Sequence, residues 1–156
     1  MQIPKLSQLI ALIAYLLFTS VAPAQTSGAS SAPKPKSRGF IYVSNQGLQT
    51  ADVVRASDNV RVASVPAGNI PFGVTVSNDG KTVYVSNWAG SSMSVIDTAT
   101  DSLRTTVPLG SQPREVTLTP DGAFVYVPDY IDNVVYIVST ATNTVTAKVP
   151  VGTQPA

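Results

Sequence analysis

From Phe40 onward, apolar and polar residues alternate in short bursts, each closed by a cluster of Gly, Pro, Asn, Asp or Thr. Phe72 to Ser77 (FGVTVS) alternates and stops at Asn78-Asp79-Gly80, a strong hairpin signal because Gly tolerates positive φ and Asn and Asp nearly so. Thr82 to Asn87 (TVYVSN), Met93 to Thr98 (MSVIDT) and Leu103 to Pro108 (LRTTVP) follow as second, third and fourth strands. The scheme then recurs: Glu115 to Thr119, the turn Pro120-Asp121-Gly122, Phe124 to Asp129, Val134 to Thr140 and Val145 to Val151. This period of two predicts half-buried strands, and a 3.6-residue helical pattern is absent.

One spacing governs the whole stretch. Tyr42, Tyr84 and Tyr126 stand 42 apart, as do Pro66, Pro108 and Pro150, then Gly68, Gly110 and Gly152, then Pro71, Pro113 and Pro155. Four short antiparallel strands per repeat of this length predict one blade of a β-propeller. The expected fold is all-β, with blades spanning 39–71, 72–113 and 114–156. The array opens at Phe40 on what reads as a second strand, so the first blade has no inner strand of its own. It reaches Pro155-Ala156 where another inner strand should start. Fewer than three full repeats predict an incomplete propeller, either the remainder of a longer one or a chain that assembles with others.

Tyr84-Val85-Ser86-Asn87, Tyr42-Val43-Ser44-Asn45 and Tyr126-Val127-Pro128-Asp129 resemble the Tyr-Val-Thr-Asn signature of the YVTN-repeat β-propellers. Ser77-Asn78-Asp79-Gly80-Lys81 and Val95-Ile96-Asp97-Thr98-Ala99-Thr100 resemble that family's other recurring stretches. The resemblance covers Gly39 to Ala156. It implies blades of a typically seven-bladed protein exported to the periplasm or cell surface, surface-layer and adhesion-type proteins included. Similar blades occur in periplasmic oxidoreductase subunits. The chain departs from the pattern in holding fewer than three repeats.

The first residues change the picture in another way. Lys5 precedes an apolar run from Leu9 to Phe18, and Ser20, Ala22 and Ala24 supply the small residues of a cleavage site. Residues 1–24 are therefore expected to be a secretory signal peptide cut after Ala24, since the run is far shorter than the ~20 residues a membrane span needs. Residues 25–38, made of Ser, Ala, Pro and Lys with little to bury, read as a disordered linker. The predicted location is periplasmic or extracellular.

Composition narrows the chemistry. The chain has no Cys and no His, which excludes a disulfide framework, a Cys/His zinc site, a His-ligated haem and a Ser-His-Asp triad. No cofactor or metal is called for. From Gly39 onward six basic side chains face nine acidic ones, too little positive charge for nucleic acid. Strand direction predicts that the loops after second and fourth strands share one face, while the Asn-Asp-Gly and Thr-Ala-Thr-Asp turns share the other.

The loop face is where propellers usually bind, and it carries the candidates Asn45, Asn87, Trp88, Arg114, Asp129 and Tyr130, with Phe72, Gln112 and Asp132 beside them. Trp88 and Tyr130 are equivalent residues of adjacent repeats and read either as binding anchors or as caps of blade packing. Arg114 takes the place of Phe72 and reads as a surface charge or an anion ligand. Asp129 and Asp132 suit turn capping better than Ca²⁺. Glu115, the only Glu, has no evident carboxylate partner for acid-base work. The expected function is a non-enzymatic binding or scaffold module for a protein, glycan or small ligand. The alternatives are a fragment of a periplasmic propeller enzyme, oxidoreductase or lactonase-like, and a cell-surface structural or adhesion repeat protein.

Overall fold

A computed structural model describes residues 39–156, which fall within one compact unit. The signal-peptide and linker expectations lie outside the described residues. Three antiparallel sheets follow one another along the chain. The first contains β1 (Phe40–Asn45), β2 (Thr50–Arg55) and β3 (Val60–Pro66) in that order. The second contains β4 (Pro71–Val76), β5 (Thr82–Asn87), β6 (Ser92–Asp97) and β7 (Ser102–Pro108). The third contains β8 (Thr117–Leu118), β9 (Phe124–Asp129), β10 (Val134–Ser139) and β11 (Thr144–Pro150). The fold is all-β, an incomplete propeller of few blades.

The 42-residue period is visible in the backbone as well as in the side chains. Register shifts fall between Val53 and Val54, between Val95 and Ile96, and between Ile137 and Val138, the same point of each blade. Asn59, Asp101 and Asn143 each take a positive φ of 56°, 48° and 54° in the turn before the outermost strand. Asn and Asp visit this left-handed region most readily among non-glycine residues, so the chemistry of those turns follows from the sequence.

The inner strand of the third blade is shorter than the alternation predicts, two residues instead of Glu115 to Thr119. The physical cause is Pro128. In the second blade, the hydroxyl of Ser86 accepts the N–H of Gly73 at 2.8 Å, holding β4 against β5. Pro128 occupies the equivalent place in β9 and offers neither a hydroxyl nor an N–H. The chain there makes only a bridge from Pro113 to Asp129, with Arg114 N–H donating to the Pro128 carbonyl at 2.9 Å, before pairing resumes at Thr117.

Packing lies between blades. Tyr42, Ala51, Val53 and Val65 meet Val83, Val85 and Ile96 in one apolar cluster. Tyr84, Met93, Val95 and Val107 meet Val125, Val127, Tyr136 and Val138 in the other. Successive residues of a strand point to opposite faces, so each central strand supplies one set of side chains to the blade before it and another to the blade after. Serines tie the blades together at the strand ends. Ser44 Oγ donates to the Phe72 carbonyl at 2.7 Å, and Ser86 Oγ donates to the Arg114 carbonyl.

Candidate functional site

The strand directions place the candidates as the sequence implies, in loops that share one end of the sheets, but they divide into two layers. Asn87, at the end of β5, is fully buried. Its Oδ1 accepts the N–H of Gly68 at 2.9 Å, and its Nδ2 donates to Ser92 Oγ at 3.1 Å and Ser94 Oγ at 3.0 Å. Asp129 holds the equivalent place in the third blade and is fully buried too. Its Oδ1 accepts from Ile131 and Asp132 N–H at 3.1 and 2.9 Å, and its Oδ2 accepts from Gln112 N–H at 2.9 Å. These bonds latch the loop before the next blade onto the loop after the second strand.

The latch explains two of the three glycines in the series, Gly68 and Gly110. A Cβ on Gly68 would stand 2.5 Å from Asn87 Nδ2, and one on Gly110 would stand 2.5 Å from Tyr136 Oη and 2.6 Å from Asp129 Oδ2. Real Cβ atoms do not approach so closely, so the latch requires a bare backbone there. Asn45, first of the series, accepts Leu48 N–H at 3.2 Å in its own turn. The acceptors of Asn87 and Asp129 thus have their partners within the protein.

The outer layer is built differently. Arg114 lies at the junction of the second and third blades, its guanidinium 4.4 Å from the ring centre of Tyr130, 5.2 Å from that of Phe72 and 5.8 Å from that of Trp88. All four side chains are half-buried. Trp88 is fixed in orientation by its Nε1–H, which donates to Gln112 Oε1 at 3.1 Å. Arg114 Nε is shielded from solvent and has no hydrogen-bond partner, and no carboxylate pairs with the guanidinium among the described residues. A cation held by ring faces alone keeps its N–H edge for something else. The sequence placed Phe72 on this face without assigning it a role; its position 42 residues before Arg114 carried the signal.

Beside this cluster, Asp132 accepts from Ser111 Oγ at 2.8 Å and from Tyr136 Oη at 2.9 Å. The Ser111 hydroxyl, followed by that of Tyr136, holds the Asp132 carboxyl below the usual carboxylate range. Burial, reinforced by the Asp132 hydrogen bond, pushes the Tyr136 phenol up to about 12. Both groups belong to the scaffold beneath the cluster. On the opposite end, a cavity of about 360 Å³ opens between the Asn-Asp-Gly and Pro-Asp-Gly turns, lined by Asn78, Asp79, Tyr84, Asp121 and Thr140 among others. Its carboxylates are engaged locally: Ser77 and Thr119 hydroxyls hold Asp79 and Asp121 below their ordinary values. Among the described residues, no three metal-ligating side chains gather at one point.

Sheets of this topology, stacked face to face at one repeat length, are the blades of a β-propeller. The family model described as "Lactonase, 7-bladed beta-propeller" matches residues 40–149, and the chain belongs to that family. No curated protein matches the chain. Among solved structures, hydrazine synthase of Kuenenia stuttgartiensis is 21% identical with a TM-score of 0.73, covering 86% of this chain and 41% of that one. The dihydro-heme d1 dehydrogenase NirN, solved in complex with DHE, is 18% identical with a TM-score of 0.66, covering 96% and 36%. Apo AztD from Citrobacter koseri is 15% identical with a TM-score of 0.65, covering 86% and 38%. At these identities the likeness is one of fold. The chain spans about two fifths of the length of these solved chains.

Proposed function

We propose that this chain is an exported, YVTN-type propeller module that binds rather than catalyses, and that its loop face takes a ligand with an anionic group beside an apolar or planar surface. The observation that carries this reading is Arg114, which is surrounded by Phe72, Trp88 and Tyr130 and has no carboxylate partner. A half-buried charge without a counter-ion is costly unless a ligand supplies one. The rings give the ligand's body a surface rich in π faces, and the guanidinium gives its carboxylate, phosphate or sulfate a forked donor. Strand direction and the latch below hold these groups in place, so little ordering is needed on binding.

The competing reading is enzymatic, a lactonase-like hydrolase, and the family match over residues 40–149 favours it. Against it stands a chain without His or Cys, in which the loop-face carboxylates are already engaged by internal donors, Asp129 by the Gln112 N–H and Asp132 by the Ser111 and Tyr136 hydroxyls. Equilibrium dialysis of the purified protein against benzoate, run beside a pH-stat assay on γ-butyrolactone, separates the two. Benzoate retention that Arg114→Gln lowers about tenfold, with no ring opening above buffer, supports the binding reading. Ring opening that Arg114→Gln abolishes would replace it with the enzymatic one.

A further inference from the structure

The cavity between the two Asp-Gly turns sits at a register position where the blades differ. Residues 40, 82 and 124 are equivalent, one repeat apart, and read Phe, Thr and Phe. At the first junction Phe40 packs against the apolar cluster that joins the first two blades. At the second junction the shorter Thr82 stands in its place, and with Tyr84 it lines the cavity of about 360 Å³, a volume within the range of small-ligand sites. Both residues are buried, at 8% and 3% exposure, yet neither hydroxyl has a hydrogen-bond partner among the described residues. Buried hydroxyls usually find one. The donors around them are already spent. Ser77 Oγ donates to Asp79 Oδ1 at 2.7 Å, Asn78 Nδ2 to the Pro120 carbonyl at 2.8 Å and Thr140 Oγ1 to the Gly122 carbonyl at 2.8 Å. The Thr119 hydroxyl and Ala123 N–H occupy Asp121 Oδ1 at 2.5 and 3.0 Å, which leaves Asp121 Oδ2 without a partner among the described residues. What the cavity offers is mostly lone pairs, beside two carboxylates that their hydrogen bonds hold ionised.

We propose that this cavity binds the ammonium group of a primary amine, with the Thr82 and Tyr84 hydroxyls accepting at its floor and Asp79 and Asp121 balancing the charge at its rim. An ammonium brings three donors and no acceptor, the complement of a site whose own donors are used. The rim already accommodates one: Lys81 Nζ stands 3.5 Å from Asp79 Oδ2 on the exposed side of the turn. Floor and rim share one field. Burial, opposed by Arg104 and reinforced by Asp79, raises the Tyr84 phenol, which therefore stays neutral and keeps its oxygen available as an acceptor. The bond from Asn78 to the Pro120 carbonyl ties the turns of the two blades together, so the opening is set before a ligand arrives. Because the rim carboxylates are exposed and screened by salt, millimolar affinity that falls with ionic strength is expected. This site lies at the end opposite Arg114 and carries the opposite charge, so it does not rest on the anion-binding reading.

Calorimetric titration of the purified full chain with putrescine at low ionic strength tests this, with butanediol as the uncharged counterpart of the same length. The wild type is expected to give saturable heat with the diamine and none with the diol. Asp121→Asn keeps an oxygen for the Thr119 hydroxyl and the Ala123 N–H, so it retains the wild-type far-ultraviolet dichroism while diamine binding weakens about tenfold. Thr82→Phe installs the residue of the neighbouring blades and should abolish binding; if it does not fold, Asp121→Asn decides alone. Nα-acetyl-lysine methylamide, titrated in parallel, separates the two sources of such a group. Binding as tight as that of putrescine assigns the site to a lysine side chain of a partner, and much weaker binding assigns it to a free amine. No saturable binding of either amine, equal binding of the diol, or a putrescine affinity that Asp121→Asn leaves unchanged would each overturn the proposal.

Discussion

Asn87 and Trp88 are neighbours in the chain, as are Asp129 and Tyr130, yet they do opposite work. The first of each pair is fully buried with its polar atoms bonded to backbone N–H groups or serine hydroxyls. The second is half-exposed and turns its ring toward Arg114. One step along the backbone as the strand ends sends one side chain into the latch and the next onto the surface. Candidate residues gathered by loop position alone therefore mix scaffold with contact surface. What separates them is whether their hydrogen-bonding capacity is already used.

That division can be broken most severely at the latch. Gly110→Val drives a side chain into Asp129 and Tyr136, and overpacking a closed site of this kind should cost about 3 kcal/mol, read as a lower urea midpoint. Asn87→Ala removes the acceptor of Gly68 N–H and the partner of two serine hydroxyls, and should cost about 2 kcal/mol. Asn87→Asp copies the third blade's latch; the hydroxyls of Ser92 and Ser94 can rotate to donate to it, so it should cost less than half as much. If Asn87→Asp proves as damaging as Asn87→Ala, the two latches are not interchangeable and the repeat equivalence drawn here fails. Outer-layer changes should behave differently. Arg114→Gln gives up contacts with three rings but also relieves a half-buried charge that has no counter-ion, so the two effects offset and stability should fall by about 1 kcal/mol or less while binding weakens about tenfold.

The smallest effect is one of pH. The Tyr136 phenol, raised to about 12 by burial and by Asp132, is held neutral in the folded chain, whereas an unfolded tyrosine ionises near ~10. Its contribution is complete below pH ~10 and is lost as pH rises from there toward 12, because the unfolded state releases the proton first. Thermal melts of the wild type and Tyr136→Phe should therefore converge across that interval. A difference between them that stays constant through the alkaline range would contradict the placement of the Tyr136 hydroxyl on Asp132.

Most of the fold was legible because its determinants are local. Alternation such as TVYVSN fixes a strand, Asn-Asp-Gly fixes its turn, and a 42-residue period fixes how the units relate. The inner strand of the third blade was misjudged in length because its pairing depends on residue 128 of a different strand, where proline replaces serine. The site was legible only as a face. Trp88, Tyr130 and Arg114 were on it by strand direction, but that Phe72 joins them and that Gly68 and Gly110 are needed by Asn87 and Asp129 depends on contacts across 17 residues or more. The same holds for Ser44 and Ser86, whose inter-blade bonds each span 28 residues.

Trp88 is the chain's only tryptophan, so its fluorescence reports on the outer layer alone. The most direct test of the account follows that emission while benzoate, and separately inorganic phosphate, is titrated into the wild type, Arg114→Gln and Asp79→Asn, the last altering the opposite end. The account predicts a saturable change in the wild type with at least one anion, unchanged in Asp79→Asn and weakened about tenfold or more in Arg114→Gln. No saturable change with either anion, or one that Asp79→Asn removes and Arg114→Gln leaves intact, would contradict it.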